Sequence, residues 1–247
     1  MNSVTNAMRA HILTAAVPYI KQYTDKYVVV KYGGNAMTDP ELKKSVMNDL
    51  LLLQLVGVKV VLVHGGGPDI NSTLEAMNIE SKFSNGLRVT DKETMNVVQM
   101  VLAGKVNKGL VADLIGFGGR AIGLCGVDGE LIQVHKKSEE LGYVGEVDKI
   151  DPKVIDDVIS KGYIPVISSV GCDAEGNVYN VNADTAAAKI AGALNAETMV
   201  AMTNIDGVLR DVNDPNSLIS KITLAEAEQL KKEGIIAGGM IPKVDCC

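Results

Sequence analysis

Short apolar runs and longer amphipathic segments alternate along this chain. The runs "KYVVVKY" and "VKVVLVH" are typical of buried strands, and a glycine-rich turn and a helical segment follow each of them. This order predicts an α/β fold with a mostly parallel central sheet sandwiched by helices. Added β-hairpins are predicted near residues 81–90 and 131–148, and an N-terminal helix at residues 7–23.

Three further patterns predict individual elements. Residues 90–117 predict one or two helices interrupted near Gly104, because glycine is a weak helix former. The apolar run "GYIPVISSV" predicts a single strand at residues 162–170. A short strand is also predicted at residues 142–148.

Composition narrows the class of protein. The chain has 247 residues, 47% hydrophobic and 22% charged, so it can bury a sizeable core. Its formal net charge of −6 argues against nucleic acid as a general partner. Apolar runs stay well below the roughly 20 residues that span a bilayer, so no membrane association is expected. The four cysteines include no CxxC pair, so no metal site is predicted. A cytoplasmic protein fits best.

Four glycine-rich or polar turns follow predicted strands, at residues 31–34, 64–67, 180–184 and 203–207. Ligands gather at the carboxyl ends of strands in parallel α/β folds, and glycine lets backbone N–H groups approach an anion. The alternative is that the glycines only make tight turns. Lys31 adds a cation at a strand end, either to hold a phosphoryl group or as a rim residue that reaches solvent.

Two other segments carry polar groups that suit a small anionic ligand. The stretch "NVNAD" at residues 180–184 has two amides and a carboxylate before a helix, more than one helix cap requires. Arg88 follows an Asn-Gly turn and suits bidentate binding of a carboxylate. A lone surface arginine is the alternative.

Six segments together resemble a known family: "VVVKYGGNAM", "VVLVHGGGPDIN", "NGLRVTD", "NVNADTAAAKIA", "TNIDGVL" and "GGMIPKV". They are similar, in consistent order along almost the whole chain, to the acetylglutamate kinases of the amino acid kinase superfamily. The resemblance implies transfer of the ATP γ-phosphoryl group to the side-chain carboxylate of N-acetyl-L-glutamate, in arginine biosynthesis.

The resemblance also implies roles for individual residues. Lys31 would stabilise the transferring phosphoryl group, Lys243 would neutralise charge on the departing ADP, and Asp184 would hold both lysines. Gly34 and Gly66 would donate backbone N–H groups to phosphoryl oxygens. The residues expected to bind acetylglutamate are Gly66, Gly67, Arg88, Asn180 and Asn182. Those expected to line the nucleotide site are Thr203, Asn204, Ile205, Asp206, Gly207, Val208, Leu209, Ile235, Ile236 and Ala237.

The same resemblance predicts an organisation for the chain. Residues 1–24 would be an oligomerisation helix, residues 25–175 an acetylglutamate-binding lobe, and residues 176–247 a nucleotide-binding lobe. The expected partners are ATP with Mg²⁺ held mainly by its phosphates, other copies in a homohexamer built as a trimer of dimers, and arginine as a possible feedback inhibitor. The family usually continues beyond the position of Cys247, so weak activity and weak arginine sensitivity are expected of this chain as given.

Two other functions stay open on sequence alone. One is a sister kinase that acts on a related acyl substrate such as acetylaminoadipate. The other is a non-catalytic small-molecule sensor on the same fold, although the presence of Lys31, Asp184 and Lys243 favours an enzyme.

Overall fold

A computed structural model of the chain describes residues 5–37, 39–84, 86–203 and 207–246, without the side chains of residues 35, 36, 239 and 242. The described α-helices are α1 (Asn6–Tyr23), α2 (Pro40–Leu55), α3 (Gly67–Ala76), α4 (Lys92–Gln99), α5 (Asn107–Gly116), α6 (Lys153–Ser160), α7 (Ala183–Ala193), α8 (Leu224–Lys232) and α9 (Ile241–Asp245). The described strands are β1 (Tyr27–Tyr32), β2 (Lys59–His64), β3 (Lys82–Ser84), β4 (Leu87–Val89), β5 (Ala121–Cys125), β6 (Ile132–Lys136), β7 (Gly145–Ile150), β8 (Ile164–Ser168), β9 (Val170–Cys172), β10 (Val178–Asn180) and β11 (Thr198–Ala201).

The main sheet has five parallel strands in the order β11-β1-β2-β8-β5. Its register pairs Tyr32 with His64 and His64 with Ser168, so β1, β2 and β8 end at the same edge. The predicted α/β class with a mostly parallel central sheet is therefore confirmed. Because the strands are parallel, the turns that follow them lie side by side.

Both faces of this sheet are covered, and side chains alternate between them. On β1, Val28, Val30 and Tyr32 pack into one core with α2 and α5, whereas Val29 packs into a second core with α6 and α7. Lys31 is two residues after Val29, so it shares the α7 face. It is only 7% exposed. The three consecutive valines therefore pack into two different cores.

Smaller sheets complete the fold. A four-stranded sheet has the order β10-β9-β6-β7, and β3 pairs with β4 antiparallel in the hairpin predicted near residues 81–90. The predicted turn residue Asn85 lies outside the described residues. The prediction of one strand for "GYIPVISSV" is wrong, because β8 and β9 belong to different sheets and Ser169 lies between them. The strand predicted at residues 142–148 is β7, which instead runs from Gly145 to Ile150.

The helical stretch after the hairpin does not break at Gly104. α4 continues directly into a π-helical segment, Met100–Val106, which continues directly into α5. The predicted interruption is therefore present as a change from α-helical to π-helical bonding around Gly104, between two α-helices, and not as a gap in the helical chain. Single π-helical turns of this kind are rare and often adjoin functional sites.

The N-terminal helix contacts the first core only through its last residue, Tyr23, which is partly buried there. Thr5 caps α1, and none of the residues of the helix is fully buried. Its exposed apolar side chains include Met8, Ile12 and Leu13. Within the described residues, no helix is long and apolar enough to cross a membrane. The proposed lobes on either side of residue 175 share the main sheet, since β11 pairs with β1, and that division stays a prediction.

Candidate active site

Two of the predicted turns meet at the edge where β1 and β2 end. The N–H group of Gly65 donates to the carbonyl of Tyr32 at 3.3 Å, which joins the turn after β2 to the end of β1. A third turn packs against them, because a Cβ on Gly65 would lie 3.3 Å from the Cβ of Ala183. The fourth begins beside Lys31, whose carbonyl accepts from Met202 at 3.0 Å. Parallel pairing thus gathers the turns after β1 and β2 and the start of the one after β11 at one edge, and packing of Ala183 against Gly65 adds the turn that precedes α7.

A buried ion pair joins two of these turns. Lys31 Nζ lies 2.9 Å from Asp184 Oδ1, and the two side chains are only 9% and 18% exposed. Asp184 is held in the first turn of α7 by its cap, Asn182, whose Oδ1 accepts from the backbone N–H groups of Asp184 and Thr185 at 2.9 and 3.0 Å. Burying two charges is costly unless they are paired, so the positions of the Lys31 and Asp184 side chains are strongly constrained.

Beside the ion pair lies a cleft of about 730 Å³, a volume suited to a nucleotide or a ligand of similar size. Asn182, Asp184 and Lys243 line it. Its other charged lining residues are Lys137, Glu146 and Asp245. Each of the three carboxylates is bound to a lysine: Asp184 to Lys31, Glu146 to Lys137, and Asp245 to Lys231.

A smaller pocket of about 160 Å³ adjoins the cleft. Gly65, Gly66 and Gly67 form one side of it, and Arg88 and Asn180 lie on its wall. The two cavities share lining residues, which are Gly86, Leu87, Val144 and Asn182. A ligand in the small pocket would therefore face a ligand in the cleft.

Arg88 is the cation of the small pocket. Its Nη2 donates to Asn71 Oδ1 at 2.6 Å, its Nη1 donates to Ser81 Oγ, and its guanidinium lies 4.7 Å from the centre of the Phe83 ring. It is only 7% exposed, and burial lowers the pKa of its guanidinium. A guanidinium carries five N–H donors in a planar fork, so these two bonds leave further donors for a carboxylate.

The glycine turn at residues 65–67 is closely packed from beneath. A Cβ on Gly66 would lie 2.7 Å from Leu102 Cδ2 and 3.2 Å from Val106 Cγ2, both in the π-helical segment. Gly34 shows a different requirement, since its φ of 68° lies in the left-handed region that glycine adopts without strain. Gly34 is the first residue of a short 3-10 helix and Gly66 is the N-cap of α3, and the first N–H groups of such helices have no intrahelical acceptor.

The residues predicted to line the nucleotide site do not line the cleft or the small pocket where they are described. Asn204, Ile205 and Asp206 lie outside the described residues. Those that are described follow β11 or α8 and line neither cavity: Thr203, Gly207, Val208, Leu209, Ile235, Ile236 and Ala237. Ile236 is 1% exposed and packs in the interior. The role of this set stays a prediction.

Sequence reasoning missed part of the cleft wall. Lys137 and Glu146 come from the β6–β7 region, in the second sheet, and form an ion pair across it. No glycine turn or short motif marks either residue. Only the packing of the small sheet against α7 brings them to the cleft.

The fold and the site define a class of protein with two adjoining cavities for ligands. A carboxylate-bearing ligand suits Arg88 in the small pocket, and a phosphate-bearing ligand suits Lys243 in the cleft and the adjoining glycine turn. The chain belongs to the amino acid kinase family, whose family model matches residues 26–247. Within that family it groups with the acetylglutamate kinases.

Relatives agree with this assignment, and solved structures agree with the fold. The chain is 53% identical to the acetylglutamate kinase of Brachyspira hyodysenteriae, over 100% of this chain and 86% of that protein. A crystal structure of smu.665 from Streptococcus mutans is similar with a TM-score of 0.78 and 32% identity, covering 89% of this chain and 88% of that one. An N-acetylglutamate synthase from Neisseria gonorrhoeae shares the fold, with a TM-score of 0.81 at 23% identity over 96% of this chain and 54% of that one.

The packing beneath the glycine turn yields a stability prediction. Gly66→Ala forces a Cβ against Leu102, which is itself buried, so we expect a loss of about 1–3 kcal/mol of unfolding free energy. Gly67→Ala is the matched control, because no heavy atom lies within 4 Å of its Cβ position. Thermal unfolding of both variants is the measurement. Equal melting temperatures for the two variants would contradict the predicted contact.

Proposed function

We propose that this chain transfers the γ-phosphoryl group of ATP to the side-chain carboxylate of N-acetyl-L-glutamate, giving N-acetylglutamyl 5-phosphate in arginine biosynthesis. The observation that carries the proposal is the buried Lys31–Asp184 pair beside the pocket lined by Arg88. Relatives named acetylglutamate kinase, which are 50–53% identical over nearly the whole chain, support the proposal.

The reaction needs charge and positioning more than proton transfer. A carboxylate oxygen of acetylglutamate attacks the γ-phosphorus, the bond from that phosphorus to the β,γ-bridging oxygen breaks, and ADP leaves with the electron pair. The attacking carboxylate is already ionised near neutral pH, so no base has to remove a proton. Catalysis then consists of aligning the two ligands and stabilising the charge on the phosphoryl oxygens.

The residues take roles that follow from these needs. Lys31 stabilises the transferring group, and Asp184 keeps its ammonium in place. Lys243, on the wall of the cleft, stabilises the departing ADP. Backbone N–H groups of Gly34 and Gly66 donate to phosphoryl oxygens.

The acetylglutamate itself is held in the small pocket. Arg88 binds its α-carboxylate through the guanidinium fork, while Asn180 and Asn182 contribute side-chain amides to the pocket wall. Gly66 and Gly67 approach the ligand through their backbone.

Magnesium belongs to the proposal as a companion of the nucleotide. Mg²⁺ usually keeps several waters and binds phosphate oxygens with one or two carboxylates. In the cleft, each lining carboxylate is already paired with a lysine. Across the described parts of the chain, no three His, Cys, Asp or Glu side chains converge. The ion would therefore be held mainly by the ATP phosphates, where it offsets their charge.

A direct assay tests the function and its alternative. Release of ADP from ATP and Mg²⁺ is measured with N-acetyl-L-glutamate, with L-glutamate and with N-acetyl-aminoadipate as acceptors. We expect release that depends on acetylglutamate and is weaker with the other two. A stronger response to acetylaminoadipate would favour the sister kinase, and no response to any acceptor would contradict the kinase.

In the same assay, Lys31→Met removes the charge that faces the phosphoryl group and keeps the length of the side chain. We expect kcat to fall about 100-fold to 1000-fold, as for loss of one preorganised donor. Lys26→Met is the matched control, since Lys26 lies at the other end of β1 in an exposed pair with Glu197 at 3.9 Å. Turnover near the wild-type value in Lys31→Met would refute the assigned role.

Arg88→Lys separates binding from chemistry. Lysine cannot reproduce the planar fork or its bonds to Asn71 and Ser81. If the bound carboxylate does not change during the reaction, KM for acetylglutamate should rise about tenfold or more while kcat and KM for ATP change little. Arg120→Lys is the control, because Arg120 also stacks on a ring, that of Tyr163, but lines neither cavity. A selective rise in KM for ATP would show that Arg88 binds the nucleotide and not acetylglutamate.

The proposal extends to assembly through α1. Apart from Tyr23 at its end, which packs against the first core, this helix buries no residue on its own subunit, and it exposes Met8, Ile12 and Leu13. An apolar helix face outside a core is suited to a partner, here the same helix of another copy in a homohexamer.

Ile12→Glu tests this interface. A charge in an apolar contact should lower the mass measured by light scattering from that of a hexamer to that of a dimer. His11→Glu adds a negative charge at the neighbouring position, where the native side chain is polar and exposed, and should leave the mass unchanged. An unchanged mass in Ile12→Glu would show that α1 does not join the subunits.

A further inference from the structure

A buried polar pair, His64 and Asn107, lies beneath the glycine turn. His64 is the last residue of β2 and is 0% exposed, and Asn107 is the first residue of α5 and is 1% exposed. The π-helical segment ends immediately before Asn107. Buried polar side chains are costly unless they are fully hydrogen-bonded, so their partners show what they do.

The partners of Asn107 determine the orientation of its amide. Its Nδ2 donates to the carbonyl of Val166 at 2.8 Å, and its second hydrogen is shared between the carbonyl of Leu124 at 3.1 Å and His64, because an amide nitrogen carries only two hydrogens. Its Oδ1 accepts from Lys108 Nζ at 3.2 Å. The remaining contact of Nδ2 is with His64 Nε2 at 3.1 Å. Because Nδ2 can only donate, this ring nitrogen accepts and carries no proton.

The other ring nitrogen then carries the proton. His64 Nδ1 lies 2.8 Å from the carbonyl oxygen of Gly65, which can only accept, so Nδ1–H donates to it. Burial lowers the pKa of His64 to about 4, and its bond to Gly65 offsets this only in part. The ring is therefore a neutral imidazole at physiological pH, in a single tautomer.

This bond orients a peptide group of the site. In a trans peptide the C=O and the N–H of the next residue point in opposite directions within one plane. The Gly65 carbonyl is held towards His64, in the interior. The N–H of Gly66 in the same peptide is consequently directed away from His64, and Gly66 itself lines the small pocket.

We propose that His64 is a positioning residue for phosphoryl transfer, which acts by fixing the Gly65–Gly66 peptide so that the Gly66 N–H faces the transferring group. Asn107 fixes the tautomer that this requires. The inference rests on the proposed function, because it is the phosphoryl group that gives the Gly66 N–H its role. A donor must be aimed before the charge develops, so the buried bond contributes to the rate and not to ground-state binding.

The tautomer is tested by ¹⁵N NMR on the intact chain. The protein has three histidines, and spectra of His11→Asn and His135→Asn assign the signals by elimination. We expect His64 at pH 7 to show a protonated Nδ1 and an unprotonated Nε2. A protonated Nε2, in either a neutral or a charged ring, would overturn the inference.

Kinetics test the function of the bond with two variants. Asparagine places an amide N–H near the position of Nδ1 and can still donate to Gly65, whereas glutamine places its amide near Nε2 and cannot. We expect His64→Gln to lower kcat about tenfold or more, with KM for ATP and for acetylglutamate within about twofold of wild type. His64→Asn should recover most of the lost kcat. His135→Gln, at an exposed histidine paired with Asp148 at 2.7 Å, is the control.

A merely structural role gives a different result. It would lower the melting temperature of both variants and leave kcat per folded molecule unchanged, or lower it equally in both, and either outcome would overturn the inference. Should a variant fail to fold, the NMR measurement on the wild type decides. A wild type without acetylglutamate-dependent ADP release would contradict the proposed function, whereas an active wild type with full kcat in His64→Gln would contradict only the role of His64.

Discussion

The ion pair between Lys31 and Asp184 is the constraint on which the rest of the site depends. It is largely removed from solvent, so either charge alone would be costly to bury. β1 must therefore deliver Lys31 to the face covered by α7, and α7 must begin where Asp184 can reach it. Asn182 secures that start as the helix cap. The position of β1, the start of α7 and the ion pair are thus coupled, and the cleft lies beside them.

The glycine turn is constrained from below by shape and hydrogen bonding. Leu102 and Val106 fill the space that a Cβ on Gly66 would need, so the backbone there approaches the π-helical segment closely. His64 holds the carbonyl side of the same turn. Buried packing with satisfied polar groups favours a single well-defined conformation. A turn of glycines, flexible in isolation, thereby becomes a rigid set of N–H donors.

Such rigidity suits a reaction in which the protein does little covalent chemistry. Phosphoryl transfer to a carboxylate depends on alignment and on charges already in place. The small pocket around Arg88 and the larger cleft share one wall, so two ligands could lie side by side there. Lys31 and Lys137 each lie against a carboxylate, Asp184 and Glu146, which restricts the position of their ammonium groups.

The sequence by itself determined the elements and the chemical character of the site. Alternating and helical periodicities are local properties, so β1, β2, α2 and α7 could be predicted, as could a cation and glycines at strand ends. Only the tertiary structure decided which face Lys31 occupies, that "GYIPVISSV" divides between two sheets, and that Gly104 lies in a π-helical turn. It also brought Lys137 and Glu146 to the cleft and His64 beneath Gly66. Most of these features depend on contacts between segments that are distant in the chain. A sequence pattern reports local preferences, and tertiary packing can override them.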